Sequence, residues 1–171
     1  MTDWYRIDMH TFIDNGYTIW NIADRFLVRC PGCTSMAVVQ PEGGGRARFS
    51  CTRCGKSGGW QDRHEGSVLY ATSLDHFESG RVCIGAPVDW YFHLPLWLQT
   101  ECCGEVLWAY NKDHLDWLRD FVNAKLRKRS YDPTHGWSNQ SLASRLPKWM
   151  KSARNKSAVQ KALDKLYATI A

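Results

Sequence analysis

Short apolar runs broken by turn residues fill the first 110 positions, and apolar side chains spaced three or four apart take over after them. Residues 26–29, 36–40 and 46–50 read as strands, the last two joined by the turn Pro41-Glu42-Gly43-Gly44-Gly45. Between 60 and 110, the runs 67–72, 81–86, 89–99 and 105–110 have strand lengths and are rich in Val, Tyr, Phe and Trp. Leu96-Trp97-Leu98-Gln99 and Val106-Leu107-Trp108-Ala109 flank residues 100–105 and predict a hairpin. A second hairpin is predicted where Asp14-Asn15-Gly16 separates Thr11-Phe12-Ile13 from Tyr17-Thr18-Ile19-Trp20.

Asn111 suits the N-cap of a helix predicted over 112–129, along which Leu115, Leu118, Phe121, Val122 and Leu126 recur at helical spacing. Its end, Arg127-Lys128-Arg129, places cations where the helix dipole favours them. Residues 131–138, with Pro133 and Gly136, read as a loop. Two more helices follow, separated by Pro147 and Asn155. Leu142, Leu146 and Trp149 share a face of the first; Val159, Leu163, Leu166 and Ile170 form the stripe of the second, with Asn155 as its cap. The pattern is that of an α+β protein: a β-rich part over 1–110 and an α-helical part over 111–171, packed on it or appended to it.

At 171 residues the chain has room for one domain with at most a small appendage. The 9 Trp, 7 Tyr and 6 Phe exclude a disordered polymer. No apolar run approaches the eighteen or so residues of a membrane span, so no membrane association is expected. The opening residues carry neither a basic nor an apolar leader region, and the expectation is a cytosolic, reducing environment.

That environment decides what the sulfurs do. Seven cysteines, an odd number, fit disulfides poorly, whereas Cys30, Cys33, Cys51 and Cys54 stand in the spacing C-x2-C-x17-C-x2-C. Two tight knuckles brought together by a hairpin close four thiolates around one structural Zn2+. Gly32 and Gly55 are expected to supply backbone freedom in the knuckles. Over about 26–60 the sequence resembles the zinc ribbons of transcription factors, RNA polymerase subunits, ribosomal proteins and some helicases. As a whole it is similar to uncharacterised bacterial zinc-ribbon proteins with a Cys-Cys-Gly segment, here Cys102-Cys103-Gly104, before a Leu-Trp-Ala-Tyr-Asn stretch and a basic helical tail. A helicase activity does not follow, because no helicase motif is present. Gly55-Lys56-Ser57 imitates the end of a P-loop, but Ser50 stands where its first glycine belongs and two zinc cysteines fall inside the loop.

The charge is divided unevenly. Residues 111–171 hold 13 Lys and Arg against 5 Asp, a net +8, while residues 1–110 carry −3, together the chain's +5. The ribbon is itself basic, with Arg29, Arg46, Arg48, Arg53 and Lys56 against Glu42. Candidate partner-binding residues are therefore Arg46, Arg48, Arg53 and Lys56 on the ribbon and Arg127, Lys128, Arg129, Lys148, Lys151 and Arg154 on the tail. Such cations neutralise phosphates, though part of the tail's charge is what any solvated helix face carries. Trp60, Trp137 and Trp149 are candidates for stacking on bases, although most of the aromatics are needed as core.

The expected function is thus a non-enzymatic zinc-ribbon protein that binds nucleic acid in transcription- or RNA-related regulation. An alternative is a protein–protein module, such as an adaptor, regulatory subunit or immunity-type inhibitor, that meets an acidic partner. A third reading is a cysteine-dependent enzyme using Cys83, Cys102 or Cys103 with His93 or His114 as base. The same cysteines with His76, His93 or His114 give a less favoured second metal site. Neighbouring Cys102 and Cys103 point apart in an extended chain and are not expected to ligate one ion together. No catalytic signature or cofactor loop is recognisable, and a small-molecule substrate is not expected.

Overall fold

Alternating burial builds the central sheet. In the computed structural model, which describes residues 10–62, 82–129 and 140–170, four antiparallel strands lie in the order β2 (Phe26–Arg29), β3 (Met36–Gly43), β4 (Arg46–Ser50) and β5 (Ser57–Gln61). Strand β1 (Thr11–Asp14) stands outside that sheet. Phe26, Val28, Ala37, Val39, Ala47 and Phe49 fall on one face and are buried, while Arg46, Arg48 and Ser50 alternate with them on the exposed one. Burying each of the larger apolar side chains stabilises the fold by roughly 1.5–3 kcal/mol. Gly58 pairs with Phe49 and lies beside Phe92, whose Cε1 would be in ordinary contact, at 3.8 Å, with a Cβ there. Trp60 packs edge-on to Tyr91 beside it.

The predicted hairpin is β6 (Leu98–Cys102) against β7 (Glu105–Ala109), with Leu98 opposite Ala109 and Cys102 opposite Glu105. Its turn is tighter than expected, two residues long, because Cys103 (φ 57°) and Gly104 (φ 81°) are both left-handed. Residues 89–99 are not one strand. Asp89 is buried and accepts hydrogen bonds from the amides of Tyr91 (2.9 Å), Phe92 (2.8 Å) and Leu94 (2.7 Å), which curls the chain into a loop before it reaches β2 through a Val28–Leu96 bridge.

Helix α1 (Lys112–Asn123) starts where the sequence places it, capped by Asn111, whose Oδ1 accepts from the His114 amide at 2.9 Å. It ends six residues early. Residues 126–129 form strand β8 (Leu126–Arg129), which pairs in parallel with β1, so the helix predicted over 112–129 is corrected. The pairing supplies partners for both backbones, and Arg127 folds back so that its Nε donates to the Phe121 carbonyl (3.1 Å) and its guanidinium lies over the Phe121 ring. The same pairing overturns the hairpin predicted at Asp14-Asn15-Gly16: β1 finds its partner across the chain, and residues 19–21 form a 3-10 turn.

The tail breaks into α2 (Leu142–Arg145), α3 (Lys148–Lys151) and α4 (Lys156–Tyr167), with a 3-10 turn at Ala153–Asn155. Asn155 precedes α4 but makes no capping bond, its amide donating to the Trp149 carbonyl instead. One core joins Phe12, Leu98, Leu107, Leu115, Leu118, Phe121, Val159 and Leu163; the other joins the buried sheet face to Trp90, Leu96, Tyr110 and Leu142. Both take side chains from either side of position 110. The expected run 67–72, the loop 131–138, His76 and Trp137 lie outside the described residues. Among the described residues no helix is long and apolar enough to cross a membrane.

Candidate metal centre and basic surfaces

Strands β2 and β4 each deliver one cysteine to a knuckle, and the two knuckles repeat one hydrogen-bond pattern. Thr34 N donates to Cys30 O and Gly55 N to Cys51 O, both at 2.9 Å; Cys30 N donates to Ser35 O and Cys51 N to Lys56 O, again at 2.9 Å. The residue after the second cysteine of each knuckle is left-handed: Thr34 at φ 60° and Gly55 at φ 73°. Backbone freedom is thus needed at Gly55, as expected, but at Thr34 instead of Gly32. Gly32 provides room: a Cβ there would stand 3.2 Å from Lys56 Cδ and 3.6 Å from Cys54 Sγ. Its amide donates to Cys30 Sγ at 3.3 Å.

The four sulfurs lie within 4.8 Å of one another, with Cys30–Cys54 and Cys33–Cys51 at 3.6 Å. Four thiolates about 2.3 Å from one ion stand about 3.8 Å apart along the edges of a tetrahedron, so the donor set fits a single soft divalent cation. The Ser35 amide and hydroxyl bring the Cys33 thiol down to about 6. Burial opposes ionisation of Cys30, but hydrogen bonds from the Gly32 and Cys33 amides and from neighbouring thiols prevail and lower it. At Cys54 the Lys56 amide favours the thiolate, but the Cys33 sulfur, burial and the other two sulfurs prevail and push it up to about 11. So many sulfurs cannot share negative charge at this range without a cation between them.

Among the described residues this is the only group of three or more such ligands. Cys83, Cys102 and Cys103 do not join His93 or His114 in a second one. Burial and the Asp89 charge raise the Cys83 thiol, and burial with the neighbouring Cys103 sulfur pushes Cys102 up to about 11. His114 is buried, which lowers it to about 3, and its Nδ1 accepts from the Tyr110 amide at 3.3 Å. The expectation that Cys102 and Cys103 point apart is corrected: their sulfurs are 3.7 Å from each other, because the left-handed turn at Cys103 swings its side chain out of strand alternation.

The basic residues form two groups. On the ribbon, Arg46 and Arg48 line a shallow hollow with Gln40, Pro41, Glu42 and Ser50, where Arg48 Nε pairs with Glu42 at 2.7 Å; Arg53 and Lys56 are exposed on and beside the second knuckle. On the tail, Arg127 reaches the Lys151 carbonyl (3.5 Å), Lys151 Nζ donates to the Ser144 carbonyl (3.0 Å), and Lys156 Nζ donates to the Ala124 carbonyl (3.1 Å). This brings β8, α3 and the start of α4 together. Lys128, Lys148 and Arg154 are exposed on or beside the same elements and pair with no carboxylate among the described residues. Arg129 is placed in β8 opposite Asp14.

Trp60 and Trp149 are both half-buried in cores, leaving little ring for stacking. Trp20, which sequence reasoning missed, is 59% exposed and meets Trp90 edge-on. An apolar residue in a predicted strand gives no hint of that exposure. No protein-family model, curated protein or solved structure matches the chain.

Proposed function

We propose that this protein is a non-enzymatic, cytosolic zinc-ribbon protein that binds nucleic acid through phosphate contacts, with Zn2+ on Cys30, Cys33, Cys51 and Cys54 as a folding element. A site closed by four thiolates leaves the metal no position for substrate, so zinc here supplies folding free energy. The observation that carries the binding reading is the gathering of Arg127, Lys151 and Lys156 at one junction, with Lys128, Lys148 and Arg154 alongside and no carboxylate paired to any of them among the described residues. A solvated helix face usually intersperses both signs. Arg46, Arg48, Arg53 and Lys56 offer a second contact on the ribbon.

The test reverses charge where no structural bond among the described residues is lost. Arg127 is unsuitable because it holds the Phe121 carbonyl, so the variant is Lys128→Glu with Lys148→Glu and Arg154→Glu. Fluorescence anisotropy with labelled single-stranded RNA and duplex DNA, over a salt series, should show weaker binding and a salt slope shallower by about one per lost phosphate contact. Unchanged affinity and slope remove this surface from the interface. A stoichiometric protein band in a purified sample free of nucleic acid points instead to the adaptor reading.

A further inference from the structure

The tip of the β6–β7 hairpin is unusual in composition. Two-residue turns with both positions left-handed favour Asn, Asp or Gly, because a Cβ at positive φ costs about 1–2 kcal/mol. Here the first position is Cys103, at φ 57°. The conformation places the Cys103 sulfur 3.7 Å from that of Cys102, about the separation of two sulfurs held by a single bridging atom. The two sulfurs differ in setting. Cys102 is 7% exposed and anchored in the core that α4 closes over β6, where Lys165 Nζ also donates to Thr100 Oγ1 at 3.3 Å. Cys103 is exposed. One sulfur is therefore buried and the other accessible, in a two-residue turn.

We propose that Cys102 and Cys103 form a two-thiol site for a soft, thiophilic electrophile with two exchangeable positions, the chemistry of a monosubstituted trivalent arsenical. The exposed Cys103 sulfur reacts first and Cys102 closes the chelate. In each step a sulfur–arsenic bond replaces an arsenic–hydroxyl bond, and the thiol proton leaves with that hydroxyl as water. The overall change is two thiols and one organoarsenic dihydroxide going to one dithioarsonite and two waters. Arsenic stays trivalent and no oxidant is required. The site is separate from the ribbon, whose four sulfurs are committed to one another.

The experiment adds one equivalent of phenylarsine oxide to the zinc-loaded full chain and follows it by native mass spectrometry, with glutathione at about 1 mM as a monothiol competitor; paired groups resist such competition through effective concentrations of that order or higher. The expected result is a single adduct with zinc retained, in the wild type and in Cys83→Ser, and its loss in Cys103→Asn. Asn suits a left-handed turn, so that variant should melt no lower than the wild type. The proposal is overturned if Cys103→Asn keeps the adduct, if the wild type gains none, or if arsenic enters only as zinc leaves.

Discussion

Asn111 is the side chain whose replacement tests most sharply how the fold is tied together. It is fully buried; its Oδ1 caps α1, while its Nδ2 donates to the Ile22 carbonyl (2.6 Å) and the Arg25 carbonyl (2.9 Å), with Asp24 Oδ1 at 3.2 Å. One amide thus fixes both the start of α1 and the segment that leads into β2. Losing a cap costs about 1 kcal/mol and stranding the buried Ile22 carbonyl about 1–2 kcal/mol, whereas water can replace the bond to the carbonyl of exposed Arg25, so Asn111→Ala should cost about 2–3 kcal/mol. For a chain of this size that lowers Tm by roughly 4–12 °C. The informative comparison is Asn111→Asp. Asp caps helices as well as Asn does, so if capping were the whole role the substitution would be nearly neutral. In this structure it sets a carboxylate oxygen against two carbonyls and Asp24, and should destabilise at least as much as Ala. Thermal and denaturant unfolding of zinc-loaded protein, monitored by circular dichroism, decide the matter. An Asn111→Asp variant within about 1 kcal/mol of wild type would refute the bridging argument.

Cys30→Ser should abolish zinc retention, measured by elemental analysis, and remove cooperative melting of the ribbon and of the core that Phe26, Val28 and Phe49 share with Trp90 and Tyr110; an unchanged melt in metal-free protein would contradict this. His114, buried and held near 3 against an ordinary 6.5, binds fewer protons folded than unfolded between those values. Its contribution is present above about pH 6.5 and is lost as pH falls toward 3, by up to about 1.4 kcal/mol per unit. His114→Asn, which keeps an acceptor for the Tyr110 amide, should flatten the stability profile in that window; superimposable profiles would sink the assignment.

The ribbon was legible because each of its determinants is local: the cysteine spacing, the alternation in 26–29 and 46–50, and the turn between β3 and β4. Strand β5 escaped notice because Ser57-Gly58-Gly59 has little strand propensity; it is held by pairing with β4 and by Trp60 packing on Tyr91. The failures at 14–20 and 124–129 have one cause. Local turn and helix signals were outweighed by β1–β8 pairing, which joins residues about 115 positions apart and leaves no periodic trace in either segment. The closeness of Cys102 and Cys103 was hidden in a single backbone dihedral, which no spacing rule carries.

That same β1–β8 ladder sets an order of events during synthesis. Strand β1 emerges early, but its partner is not made until the ribbon, the β6–β7 hairpin and α1 have all been completed. Closing so long a loop in an unfolded chain is entropically costly, at roughly 4 kcal/mol, whereas closing it around finished units costs less. The ladder therefore forms after the ribbon, the β6–β7 hairpin and α1, while α2, α3 and α4, whose chain is made later still, close the core behind it.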